Sequence, residues 1–170
     1  MRARGFTLIE LMAVVMILAV TSTVVIVKVH GPLRASGLRS LTDEIGGFDR
    51  LTRMQAVELD APLLVMVDLD KGEIRRVDPE KREARGGPLS LPSGFSITQM
   101  RVRGENVESG TVSVLYSRQG LCASYAIEIT GPGEKKWLLV TGLGGSITEL
   151  ANENEAETVL AVTTPRNDAR

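Results

Sequence analysis

The sequence predicts an α+β protein: a long N-terminal helix, apolar all round in its first half and amphipathic in its second, packed on antiparallel β-sheet of about seven short strands. Three observations predict it. The chain opens on an apolar run in which Glu10 is the only charge between Phe6 and Val27. From Leu33 to Leu59 the apolar residues recur at spacings of three and four, the period of a helix with one buried face. From Leu63 onward the period becomes two, and Gly, Pro and Asp punctuate short runs. One helix followed by many strands is the element order of an α+β layer arrangement.

The apolar run comes first. Some 22 residues at ~1.5 Å rise make a helix of roughly 33 Å, enough to cross a bilayer core. Arg2 and Arg4 precede it, and a short basic flank is expected to stay in the cytoplasm. Lys28, Arg34 and Arg39 on the far side work against that rule. No small-x-small cleavage site closes the run, which argues against an ordinary signal peptide. Gly31-Pro32 predicts a joint, with helix resuming at Leu33. In Leu33–Leu59 one face collects Leu38, Leu41, Ile45, Phe48, Leu51 and Met54. Arg39, Asp43, Glu44, Asp49, Arg50 and Arg53 fill the rest. Gly46-Gly47 weakens this helix by roughly 1 kcal/mol per glycine relative to alanine. Asp60-Ala61-Pro62 ends it.

Leu63–Leu69 alternates as a strand, Asp70-Lys71-Gly72 turns, and Glu73–Val77 returns as its hairpin partner. Asp78–Pro88 reads as a charged loop, and Leu89–Gly94 as an extended approach to a strand over Phe95–Val102. The apolar parity slips inside that strand: Phe95 and Ile97 are odd, Met100 and Val102 even. A bulge near Thr98-Gln99 accounts for the slip. Strands follow at Thr111–Tyr116, Cys122–Thr130, Trp137–Thr141 and Ser146–Leu150, with turns at Gly131–Lys136 and Gly142–Gly145. Ala151–Arg170 is rich in Asn, Glu, Thr, Asp and Arg, the composition of a mobile tail, with Thr158–Val162 a possible short strand.

The chain has 170 residues and a net charge of −1. Without the opening segment about 140 residues remain, enough for one domain. Bulk charge favours neither nucleic acid nor an acidic partner. Aromatics are 4%, too few for a base-stacking platform. Cys122 is the only cysteine, so no intrachain disulfide can form, and the redox compartment stays open.

The junction Gly5-Phe6-Thr7-Leu8-Ile9-Glu10, behind a basic leader and ahead of an uninterrupted apolar helix, resembles the leader junction of type IV pilin precursors and of type II secretion pseudopilins. The resemblance implies that Met1–Gly5 is a leader cut off after Gly5 by prepilin peptidase, that the new N-terminal Phe6 is methylated, and that Glu10 serves assembly. It implies an inner-membrane protein, single-pass, with a cytoplasmic N-terminus, a filament-core helix over residues 6–29 and a periplasmic pseudopilin domain over 30–150. Its partners would be the peptidase/methylase and other pilin or pseudopilin subunits. Pilins commonly carry a proline within the apolar helix, where this chain has Val27. Further on, the Asp70-Lys71-Gly72 hairpin, Leu89–Gly94 and Gly142–Ile147 resemble the minor pseudopilins of the GspH/FimT type, whose N-terminal helix packs against β-sheets.

Charge physics gives Glu10 a role. A carboxylate within a bilayer costs a few kcal/mol unless paired. After cleavage the Phe6 amine is a second charge at that depth. Pairing Glu10 of one subunit with the Phe6 amine of its neighbour joins two costly ions and fixes axial register. The alternative places Glu10 at the headgroup level, snorkelling to water.

No other motif implies chemistry. Asp68-Leu69-Asp70-Lys71-Gly72-Glu73 faintly echoes a calcium loop but lacks the EF-hand spacing and distal Glu, so it reads as a hairpin turn. His30 stands alone, offering neither a zinc site nor a nucleophile pair. Cys122 reads as a buried, inert thiol. Lys81–Arg85 reads as a solvated loop rather than a nucleic-acid contact, and Gly142–Gly145 as a turn rather than a phosphate cradle. No catalytic residue set, metal site or cofactor is expected. Three functions follow: a minor pseudopilin of type II secretion, a minor pilin of a type IV pilus, and a simple membrane-anchored binding module. A membrane-tethered enzyme is the least supported.

Overall fold

The computed structural model describes residues 8–163, with side chains described for 8–17 and 37–162. The described residues divide into two units, and the break falls between Arg39 and Ser40.

Helix α1 runs Leu8–Glu58 and supplies both units. The joint expected at Gly31-Pro32 does not interrupt it. Proline removes one donor from the helical ladder, and here that loss leaves one helical element on both sides. Gly46-Gly47 does not end it either. Gly46 is buried, and Ile147 Cδ1 lies 3.5 Å from where a Cβ would stand, an ordinary packing distance between helix and sheet.

In the second unit the β-region forms two antiparallel sheets. The first contains β1 (Leu63–Asp68), β2 (Glu73–Val77), β3 (Leu89–Ser90) and β6 (Thr111–Tyr116), in the order β3-β2-β1-β6. The second contains β4 (Ser96–Val102), β5 (Glu105–Val107), β7 (Tyr125–Gly131), β8 (Glu134–Val140) and β9 (Ile147–Leu150), in the order β5-β4-β7-β8-β9. Among the described residues nine strands stand where about seven are expected. The two extra are β3 and β5, of two and three residues, too short to show a period of two. The β1–β2 hairpin and β6 fall where the alternation puts them. The parity slip in β4 is a real irregularity: its register with β7 shifts between Ile97 and Gln99.

Inward residues of the first sheet lie in rows. Val67 pairs with Ile74 and Val112, and Val65 with Arg76 and Val114, all buried. In the second sheet Ile127 pairs with Met100 and Leu138, each at most 1% exposed. Every strand residue on these rows follows from alternation except Arg76, which turns inward and lies over the Phe48 ring at 4.5 Å while Nη1 donates to Gln55.

The amphipathic face of α1 is rotated from the one the apolar residues predict. Leu38, Leu41 and Ile45 are buried, but Leu51 and Met54 are exposed. Asp49, Thr52 and Ala56 take the buried positions instead. The cause is electrostatic: Asp49 and Arg53 have partners inside, and satisfying them outweighs burying Leu51 and Met54.

The segment after Leu150 is not a tail. Helix α2 (Glu153–Thr163) covers the outer face of the second sheet, and the strand expected at Thr158–Val162 is part of it. Asn152 caps the helix by accepting from the Glu155 amide, and Glu155 accepts from the Ala151 amide. Ala156 and Leu160, four residues apart, bury against Ala126, Trp137, Leu139 and Leu150. Arg101 pairs with both Glu153 and Glu157.

Candidate assembly site

The first ten described residues of α1 carry one charge, Glu10, in the opening turn. That position suits a carboxylate, because the N-terminal helix dipole is positive. Around it the helix is apolar on every face and exposed: Leu8 is 79% exposed, Ile9 77%, Met12 65% and Met16 75%. A helix apolar all round belongs among lipid tails or other helices, not in water. No helix among the described residues is long and apolar enough to cross a membrane. The predicted span over residues 6–29 lies mostly outside those with described side chains. So do the side chain of His30 and the junction residues Gly5 and Phe6.

The second unit holds its part of α1 by a polar clamp centred on Arg53. Arg53 Nε donates to Asp49 Oδ2 at 2.7 Å, one turn back. Its Nη1 donates to the carbonyls of Gly120 at 2.8 Å and Gly142 at 2.7 Å. Its Nη2 donates to Thr141 O at 3.0 Å and reaches Cys122 Sγ at 3.3 Å. One guanidinium therefore ties α1 to the β6–β7 loop and the β8–β9 turn. Asp49, 2% exposed, also accepts from Tyr116 Oη at 2.7 Å, and Tyr116 and Tyr125 hydroxyls lie 3.3 Å apart.

Protonation follows from this geometry. Burial alone pulls the Arg53 pKa down, but the Asp49 hydrogen bond and charge outweigh it, so the net shift is upward and the guanidinium stays charged. Burial, the largest cause for each, pushes both tyrosines up; neighbouring acidic groups add to it at Tyr116, and at Tyr125 burial outweighs the hydrogen bond to Tyr116, so both remain neutral donors. Burial also raises the Cys122 thiol despite the nearby guanidinium. The thiol is therefore protonated at neutral pH and a poor nucleophile. Gly142 is required by close approach: a Cβ there would lie 2.0 Å from the Cys122 carbonyl oxygen.

The remaining predicted spots are turns. Asp68 Oδ1 accepts from the Lys71 amide and Asp70 Oδ2 from the Gly110 amide, so both carboxylates fasten loops. No cluster among the described residues could hold a metal ion. In the 78–85 loop Asp78 accepts from Arg85 at 2.8 Å and from two backbone amides, and these bonds, Arg85 first, pull its pKa down to about 2. Sequence reasoning missed the Arg53 clamp. Its signals were an Asp-Arg pair four apart beside small Thr52 and Ala56, and glycines at Gly120 and Gly142 in the two loops that supply its carbonyls.

Residues 1–26 match the prokaryotic N-terminal methylation motif. The motif runs onto the long helix that precedes the two antiparallel sheets. The chain resembles a pseudopilin in fold. It is similar in fold to two solved structures of the minor pseudopilin EpsH from the type II secretion system of Vibrio cholerae. One shares 14% identity at a TM-score of 0.50 and covers 66% of this chain and 95% of its own. The other, a crystal structure, shares 9% identity at a TM-score of 0.55 and covers 69% and 98%. No curated protein sequence matches the chain.

Proposed function

We propose that this chain is a minor pseudopilin of a type II protein secretion system and works by assembly, not catalysis. The observation that carries the reading is the union of an N-terminal methylation motif over residues 1–26 with a fold like that of EpsH. The motif alone would serve a type IV pilus equally well; the fold likeness favours secretion. Prepilin peptidase removes Met1–Gly5 and Phe6 is methylated. The apolar helix stays in the inner membrane, N-terminus towards the cytoplasm, until it packs among the helices of other subunits. Glu10 then neutralises the Phe6 amine of a neighbour, and the fully apolar surface around it is the surface that lipid and helices exchange.

Intact mass and N-terminal sequencing of the protein from its own membranes test this. The expected chain begins at methylated Phe6. A chain still beginning at Met1, in cells with active prepilin peptidase, sinks the reading and leaves an anchored β-rich domain.

A further inference from the structure

The two sheets have four edges, and three are blunted against pairing. β3 is two residues long and lies between Pro88 and Pro92. β5 is three residues long and opens on Glu105. β9 carries Glu149, which is held by Lys136 at 2.9 Å, and Leu150 runs on into the α2 cluster. Shortness, proline, charge and cover are the devices that stop a sheet from adding another strand. β6 has none of them. Its sequence, Thr111-Val-Ser-Val-Leu-Tyr116, has no charge, no proline and no glycine. Six consecutive residues pair with β1 without a bulge, and among the described residues β6 pairs with no other strand. Thr111, Ser113 and Leu115 are exposed.

We propose that the β6 edge pairs antiparallel with β6 of a second copy of this chain, across a two-fold centred on Ser113. Pairing parity permits it. Residues directly opposite in an antiparallel pair share a face. About Ser113, Thr111 faces the partner's Leu115 on the outer side, and Val112 faces the partner's Val114 on the inner side. Charge favours it as well. Glu108 and Arg118 flank β6 at its two ends, both exposed and neither in a salt bridge among the described residues. The two-fold puts Glu108 of each copy at the same end as Arg118 of the other, twice, as an isologous contact requires. One strand pair buries little surface, so the contact is weak in dilute solution. Chains sharing a micelle or a membrane meet at far higher effective concentration.

The test uses the full chain in detergent micelles with Cys122→Ser and Ser113→Cys, oxidised by copper phenanthroline. Directly opposite strand positions have the Cα separation that a disulfide needs. The expected result is a linked dimer about tenfold above Asn106→Cys, an exposed position on the β5 edge that reports random collision. Added Glu108→Arg or Arg118→Glu lowers the yield several-fold, and the two together restore it. Glu108, Asn106, Ser113 and Arg118 are exposed, and the half-buried Cys122→Ser change is common to every arm including the Asn106→Cys control, so loss of fold does not mimic the effect. A Ser113→Cys yield no greater than that of Asn106→Cys overturns the proposal. So does loss on either reversal with no rescue by the pair, or a disulfide formed only with a different protein.

Discussion

A guanidinium whose three nitrogens reach a carboxylate, three carbonyls and a thiol on three separate segments has no good substitute. Arg53→Lys keeps the charge but offers one nitrogen where a planar fork is needed. Arg53→Ala strands Asp49, which is 2% exposed, with only Tyr116 as a donor. We expect Arg53→Ala to cost about 3 kcal/mol, and Arg53→Lys most of that, read as a lowered midpoint in chemical unfolding of the full chain in micelles. A change below ~1 kcal/mol would show that the clamp is ornamental. Asp78 gives a second prediction, in pH. Its folded pKa, about 2, lies below the ordinary carboxylate value, so its bonds stabilise the 78–85 loop above that ordinary value and are lost as pH falls towards 2. The protection factor of the Arg82 amide, its intrinsic exchange rate divided by the observed rate at the same pH, should fall over that window and hold steady above it, since its N–H donates to Asp78 O. Asp78→Asn should show fast exchange already at neutral pH.

At the scale of elements, what was legible depended on whether apolar residues alone decided the outcome. The period-two runs at Leu63–Asp68 and Thr111–Tyr116 gave correct strands because the alternating inward residues of each, Leu63, Val65 and Val67 in one and Val112, Val114 and Tyr116 in the other, are aliphatic or aromatic. The parity slip in β4 located the register shift between Ile97 and Gln99 for the same reason. The buried face of α1 was misread because Asp49 and Arg53 were assigned to water, and only the loops around Gly120 and Gly142 reveal their partners. α2 was misread because its composition is polar. Asn152 and Glu155 at capping spacing, followed by Ala156, Val159 and Leu160, were the better signal. The chain's single tryptophan, Trp137, lies under α2 at 4% exposure, so the helix can be watched directly. Truncation after Leu150 should red-shift Trp137 emission and make it accessible to acrylamide. Leu160→Ala should do so in part, at a cost of about 2–3 kcal/mol to docking. Unchanged emission after truncation would mean that α2 does not cover the sheet in solution.

On the scale of the whole molecule, the N-terminal helix faces two opposing demands. Lipid insertion favours removing Glu10, since a carboxylate in the bilayer costs a few kcal/mol. Assembly, on the reading proposed above, requires keeping it as the partner of a neighbour's Phe6 amine. The two demands make Glu10→Leu an informative variant. A simple anchor would tolerate or prefer it. A filament subunit should insert at least as well and be cleaved after Gly5 as before, yet lose co-purification with other pseudopilins about tenfold or more, as expected when an apolar-embedded amine loses its counter-ion. Glu10→Asp, which keeps the charge on a shorter stem, should recover part of the loss, and Glu10→Gln, isosteric but neutral, little of it. That ordering separates charge neutralisation from packing, because a packing role would rank Gln above Asp. Equal co-purification of Glu10→Leu and the natural chain would instead place Glu10 at the headgroup level, and filament register would have to come from the domain beyond Arg39.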